Sequence, residues 1–134
     1  MKFLLDTDTC IYALKQHERV IARLLAAARE DVAVSVITEA ELRTGAAKSS
    51  SPLKTLQLVE NFLSPISRVE FTSDDAVAYA AVRSKLEKAG TPIGPLDTLI
   101  AAQAVARKLI LVSNNEREFR RVAALAVENW SRRS

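Results

Sequence analysis

The 134-residue chain is short of several things at once: it has one cysteine (Cys10), one histidine (His17), 3 glycines and 4 prolines, and aromatic residues make up only 5%. One cysteine allows no internal disulfide and no cysteine-based zinc site. Cys10 therefore reads as a small buried hydrophobe. His17, with no second histidine to join it, reads as an ordinary surface residue in a polar junction. So little glycine and proline, against 49% hydrophobic residues, argues for a globule rich in regular elements and against disorder. No apolar run approaches the roughly 20 residues that span a bilayer. No signal-peptide pattern precedes the first apolar segment, so a cytoplasmic location is expected. No repeat, linker or low-complexity segment divides the chain, and residues 1–134 are expected to form one domain with its own core. The net charge of +3 and pI near 9.2 are mild. The basic residues are unevenly placed, however: Arg117, Arg120, Arg121, Arg132 and Arg133 crowd the end of the chain. That clustering is either the footprint of a phosphate-backbone partner or a solvated surface.

What is present alternates between two patterns. Phe3–Leu5 is a short apolar run followed at once by Asp6, Thr7, Asp8 and Thr9, as in a strand buried on both faces. A short helix over 10–15 follows, with Thr9 or Asp8 as its cap. A second helix carries Val20, Ile21, Leu24, Leu25 and Ala28 at helical spacing. Residues 32–36 form the second strand, and Thr38 opens a helix to about Ala47. Pro52 stands in the first turn of the next helix, which Pro65 ends. Residues 66–71 form a third strand, polar enough to lie at a sheet edge. Thr72 or Ser73 caps a long helix to about Ala89, with Gly90 as its stop and with Asp74 and Asp75 as helix-start anions. The loop 91–97, TPIGPLD, precedes a helix over 96–108. Residues 109–112 form a fourth strand, 116–122 a short helix, and 126–128 a last short strand with Trp130 packing nearby. Strands alternating with helices predict an α/β fold whose parallel sheet is covered on both faces.

Three acids stand out against this frame. Asp6 ends the first strand, Glu41 is placed in the first turn of the helix after the second, and Asp97 in the first turn of the helix after the Pro-Gly-Pro loop. In open α/β sheets, ligands bind beyond the carboxyl ends of the strands, so Asp6 and Glu41 converge there. Asp97 joins them if its loop returns to the same edge. Like charges so close repel, and burial raises their proton affinity. A cation relieves both effects, and oxygen donors without histidine or cysteine select a hard ion, Mg²⁺ or Mn²⁺. Simpler roles compete: Thr38 and Glu41 fit a capping box, Asp97 fits a first-turn anion, and Asp6 fits a helix cap.

Four segments, in order, resemble a known family: Asp6-Thr7-Asp8; residues 35–42 (SVITEAEL) with Gly45; residues 92–97 (PIGPLD); and residues 112–119 (VSNNEREF). Together they look like a PIN domain, and specifically like the VapC toxins of bacterial toxin–antitoxin pairs. Each motif is weak singly; four in order across essentially the whole chain are specific. The third segment is similar to that of VapC toxins that cut initiator tRNA in its anticodon loop.

The resemblance implies a three-layer α/β/α sandwich with a central parallel sheet of four to five strands. It implies that Asp6, Glu41 and Asp97 form an acidic site holding Mg²⁺, with Mn²⁺ as a substitute. The activity implied is metal-dependent hydrolysis of single-stranded RNA loops. The family's fourth acid falls here on Asn115, which is uncharged, and Glu118 is a candidate replacement. Asp8 stands where the family commonly has Asn. Ser113 matches a hydroxyl position able to bond a ligand carboxylate. Arg117, Arg120 and Arg121 would track phosphates. The implied partners are a homodimer mate, a small VapB-like antitoxin and an RNA substrate, with no membrane. Part of the helix carrying Leu53, Leu56, Phe62 and Leu63 would contact the mate or the antitoxin, or pack in the core.

Three rivals are weighed against this reading. A receiver-like phosphoacceptor domain needs an Asp ending strand three and a Lys after strand five, and the chain has neither there. A catalytically inactive PIN binding module sits poorly with retention of Asp6, Glu41 and Asp97. A PIN nuclease for RNA processing without an antitoxin remains the alternative.

Overall fold

The computed structural model describes residues 1–133. The chain runs β1 (Phe3–Leu5), α1 (Thr7–Leu14), α2 (Glu18–Ala26), a single 3-10 turn (Arg29–Asp31), β2 (Val32–Ser35), α3 (Val36–Ala47), α4 (Pro52–Leu63), β3 (Ser67–Val69), α5 (Ser73–Lys88), α6 (Pro95–Arg107), β4 (Ile110–Val112), α7 (Glu116–Phe119) and β5 (Ala126–Glu128). The strands form one sheet in the order β3-β2-β1-β4-β5, and every pairing is parallel. All strands therefore end on the same edge.

Strand alternation builds the three layers. Phe3 and Leu5 of β1, with Val32 and Val34 of β2, face a core completed by Cys10, Leu42, Val59, Leu63 and Trp130. Leu4 and Ala33, one residue out of phase, face the other core with Val82, Leu86, Ile100, Ala101 and Phe119. Residues of β1 and β2 are apolar on both faces because helices cover both. The architecture is the three-layer α/β/α sandwich, with five strands. Cys10 is fully buried, and burial pushes its thiol up in pKa. Trp130 meets the Phe3 ring edge-on, with centroids 5.1 Å apart.

Several boundaries differ from the sequence expectation, and each difference has a local cause. Helix α1 opens at Thr7 rather than Cys10, because Asp6, not Thr9 or Asp8, is its cap: the Asp6 carboxylate accepts from the Thr9 N–H. Helix α3 opens at Val36 rather than Thr38, because the Ser35 hydroxyl accepts from the Ile37 N–H and ends β2 one residue early. Glu41 therefore lies in the second turn, and Thr38 and Glu41 form no capping box. Strand β3 shortens to Ser67–Val69 and lies at the sheet edge, as its polarity foretold. His17 is not a plain surface residue. It caps α2, accepting from the Val20 N–H, and its ring stacks on Tyr12.

Helices α5 and α6 pair antiparallel on the second face. Thr72 and Asp75 form a reciprocal capping box at the start of α5, so Asp75 is a helix-start anion as read. Asp75 is also buried and bonded to Arg107 near the end of α6. Burial alone would raise the Asp75 carboxyl, but the Arg107 guanidinium and the Thr72 N–H hold it below the ordinary carboxylate value. Among the described residues no helix is long and apolar enough to cross a membrane.

Candidate active site

The site lies where the strands end. Asp6 follows β1 immediately and is only 3% exposed. Its backbone N–H donates to the Val112 carbonyl at the end of β4 (3.0 Å), and the Thr9 hydroxyl donates to the same carbonyl (3.0 Å). This bonding locks the start of α1 onto β4. Burial raises the Asp6 carboxyl from 3.8 to about 6; hydrogen bonds from Ser113 and Thr9 oppose the shift, and the charge of Asp8 adds to it. Ser113, the residue after β4, is fully buried. Its hydroxyl accepts the Asn115 N–H at 2.9 Å and favours the ionised form of the Asp6 carboxyl.

Glu41 reaches the site from α3. The Thr7 hydroxyl donates to its Oε1 at 2.6 Å and lies 3.2 Å from the Thr38 hydroxyl. Asp97 arrives from the first turn of α6, where Pro95 occupies the first helical position and Gly94 is the cap. Its carboxyl is raised from 3.8 to about 6, first by burial and then by the charges of Glu41, Glu118 and Asp8. The loop before α6 thus returns Asp97 to the acidic edge. Glu118 belongs to the site's field although α7 is one turn long, and Asn115 Nδ2 donates to its Oε2 at 2.6 Å. Asp8 is felt by both Asp6 and Asp97, which separates it from the cap role that sequence left open.

These carboxylates interact without closing into a cage. Among the described residues no three acidic, imidazole or thiol side chains gather tightly enough to enclose an ion alone. The Thr7 hydrogen bond holds Glu41 beside the residue that follows Asp6. The donor set still fits a hard divalent cation. It is all oxygen, and Mg²⁺ ordinarily takes one or two protein carboxylates and fills its shell with water and phosphate oxygens. Burial raises both the Asp6 and the Asp97 carboxyls to about 6, and a cation beside them would lower both. Beside Glu41 an apolar cleft of about 330 Å³ opens between α3 and α6, lined by Ile37, Ala40, Thr44 and Leu96.

Arg120 pairs with Glu116 at 3.7 Å, Arg132 pairs with the same carboxylate, and Arg121 donates to the Pro92 carbonyl at 2.9 Å. They brace α7, the chain end and the loop before α6, because these segments bring carboxylate and carbonyl acceptors within reach. Arg117 is exposed, with no ion pair among the described residues. Sequence reasoning missed Thr7, whose partners lie over thirty residues away.

The PIN domain family model matches residues 3–125. The chain is 37% identical over 130 residues to the tRNA(fMet)-specific endonuclease VapC of Salmonella typhimurium, covering 97% of this chain and 98% of that protein. It is 40% identical to Ribonuclease VapC2 of Haemophilus influenzae, with the same coverage. Among solved structures, DNA-bound VapBC of Salmonella typhimurium contains a chain that superposes with a TM-score of 0.93 at 37% identity, over 97% of this chain and 98% of that one. VapBC2 of Rickettsia felis on a promoter DNA fragment gives 0.91 at 34% identity, over 97% and 99%. The matches run over nearly the whole chain, and it belongs to the PIN-domain family, within its VapC ribonuclease branch.

Proposed function

We propose that the protein is a Mg²⁺-dependent endoribonuclease, the toxin of a toxin–antitoxin pair, that hydrolyses phosphodiester bonds in single-stranded RNA loops. The observation supporting this reading is that Thr7, the residue after Asp6, bonds Glu41, while Asp97 lies in the field of Glu41 and Asp8. Asp6 and Asp97 would hold the ion directly, with Glu41 as a further ligand that also reaches the reacting water. When bound, a divalent cation supplies Lewis acidity, lowering the pKa of water and offsetting charge on the phosphate.

The chain's own residues do the rest. Thr9 and Ser113 orient the Asp6 carboxylate through hydrogen bonds. Glu41 commits Oε1 to Thr7, which leaves Oε2 to accept a proton from the attacking water. Backbone hydrolysis of this kind needs access rather than base readout, which favours unpaired loops. The apolar cleft beside Glu41 offers a dry wall for an unstacked base.

The substrate assigned is the anticodon loop of initiator tRNA, in keeping with the Salmonella relative named for tRNA(fMet). A VapB-like antitoxin is assigned on the VapBC assemblies that this fold matches, and a homodimer on the family resemblance alone.

Induced expression of wild type and of Asp6→Asn, scored by growth and tRNA integrity, tests the reading. Wild type arrests growth with cut tRNA and the variant does not; equal toxicity of the two removes Asp6 from the site. In vitro, cleavage is lost in excess chelator and restored by Mn²⁺, whereas cleavage persisting in chelator overturns the metal-dependent mechanism.

A further inference from the structure

The Thr7 hydroxyl stands 2.6 Å from Glu41 Oε1 and 3.2 Å from the Thr38 hydroxyl. A hydroxyl carries one proton, and a carboxylate only accepts. Both contacts are satisfied when Thr7 donates to Glu41 and Thr38 donates to Thr7, giving the directed chain Thr38 → Thr7 → Glu41. Thr38 is fully buried, and Thr7 is the one hydrogen-bond partner of its hydroxyl among the described residues.

Secondary structure does not require this arrangement. Asp6 caps α1 and Ser35 caps α3, so neither threonine hydroxyl serves a helix end. Thr38 and Glu41, three residues apart in α3, share one helix face. Thr7 is covalently next to Asp6. Its hydroxyl is therefore the one hydrogen bond, among the described residues, that ties the residues beside Asp6 to Glu41.

We infer that Thr7, backed by Thr38, is a positioning residue that fixes Glu41 against Asp6 and keeps Oε2 free for the reacting water. This rests on the reading of Glu41 given above and goes beyond it. Without the hydroxyl chain, repulsion from Asp97 turns Glu41 away, and Oε1 competes with Oε2 for the water. The methyl group of Thr7 has no part in this, so the hydroxyl alone decides.

The test uses Thr7→Val, Thr7→Ser, Thr38→Val, the double variant Thr7→Val/Thr38→Val and Glu41→Gln in the full chain. Each is measured for folding, for Mn²⁺ affinity without RNA, and for kcat and KM on a single-stranded RNA oligonucleotide. Residues that orient metal-site groups typically contribute 10–100-fold, so Thr7→Val is expected to lower both kcat and Mn²⁺ affinity by about tenfold, with KM held within about twofold. Thr7→Ser restores both, and Thr38→Val gives a smaller loss of the same kind. The double variant leaves no buried hydroxyl unpaired and so keeps the test open if Thr7→Val alone folds poorly; it is expected to fold and to remain impaired. Thr7→Ser as poor as Thr7→Val, or a Thr7→Val or double variant equal to wild type in kcat and Mn²⁺ affinity, overturns the assignment. Full cleavage by Glu41→Gln removes the reading of Glu41 itself. An inactive Glu41→Gln beside a fully active Thr7→Val removes only the role of Thr7.

Discussion

Replacing Asp6 by Asn should stabilise the metal-free protein while abolishing cleavage, and the size of the gain should depend on pH in a defined way. The Asp6 carboxyl is raised from 3.8 to about 6, chiefly by burial. In the folded, metal-free protein its ionised form is therefore disfavoured relative to the unfolded chain. Above both values the full difference applies, roughly 3 kcal/mol at about 1.4 kcal/mol for each tenfold change in proton affinity. The sign follows from proton counting. Between pH 4 and 6 the folded protein binds more protons at Asp6 than the unfolded chain does, so stability falls as pH rises through that window. Asn keeps the shape and the acceptor for the Thr9 N–H, and the bonds from Thr9 and Ser113 to the ionised form are already contained in the raised value. The net gain at pH 7.5 is then about 3 kcal/mol, or about 6–12 °C in melting temperature.

Urea unfolding of metal-free wild type and Asp6→Asn at a series of pH values measures this directly. The stability difference should be largest above pH 7 and should shrink towards zero only near pH 3, where Asp6 is protonated in both states. Other titrating groups, Asp97 included, are common to the two proteins and largely cancel. Divalent ion should reverse the order, because binding to the folded state stabilises wild type by mass action and Asn is a poor ligand. A difference that is flat with pH, or a variant less stable than wild type at pH 7.5, would refute the argument that burial without countercharge strains Asp6.

Four further substitutions test the site, its supports and its surroundings. An added Cβ at Gly94 would stand 3.3 Å from Asp97 Oδ2, while the backbone there (φ −54°, ψ 147°) suits any residue. Gly94→Ala should therefore leave the melting temperature nearly unchanged and lower kcat about tenfold, less than the hundredfold of a 1 Å misplacement; unchanged kcat would mean that Asp97 moves aside freely. Arg107→Met leaves Asp75 buried and unpaired, which should cost about 3 kcal/mol by urea unfolding at pH 7; because pairing holds Asp75 low, its contribution is present at neutral pH and is lost as pH falls below 4. Arg117→Ala should reduce the salt slope of RNA binding by about 0.7, the value for one phosphate on a single strand. Arg121→Ala, which removes a bond to the Pro92 carbonyl, should leave that slope unchanged and lower kcat instead.

The parts of this molecule that were legible in its sequence are those set by element ends. Asp6 follows an apolar run too short to be anything but a buried strand, and Asp97 follows a Pro-Gly-Pro loop that must start a helix. The position of Asp6 on the sheet edge then follows from parallel topology, whereas that of Asp97 does not, because its loop follows a helix rather than a strand. Glu41 was placed on the right helix but in the wrong turn. Ser35 and Thr38 are both good caps three residues apart, and only the chain's path out of β2 decides between them. The arginine pairings were not legible, because Glu116 and the Pro92 carbonyl meet their partners only through tertiary contact. Nor was Thr7, for the same reason: its hydroxyl spans 31 residues to Thr38 and 34 to Glu41, and no local spacing encodes such a reach. Carboxylates can be found from the ends of strands and helices. The hydroxyls that aim them, Thr7 at Glu41 and Ser113 at Asp6, belong to neighbouring elements and are fixed only when the sheet assembles. A substitution that spares every acid can therefore still disable the site, and Thr7→Val, Thr38→Val and Ser113→Ala are the places where that should happen.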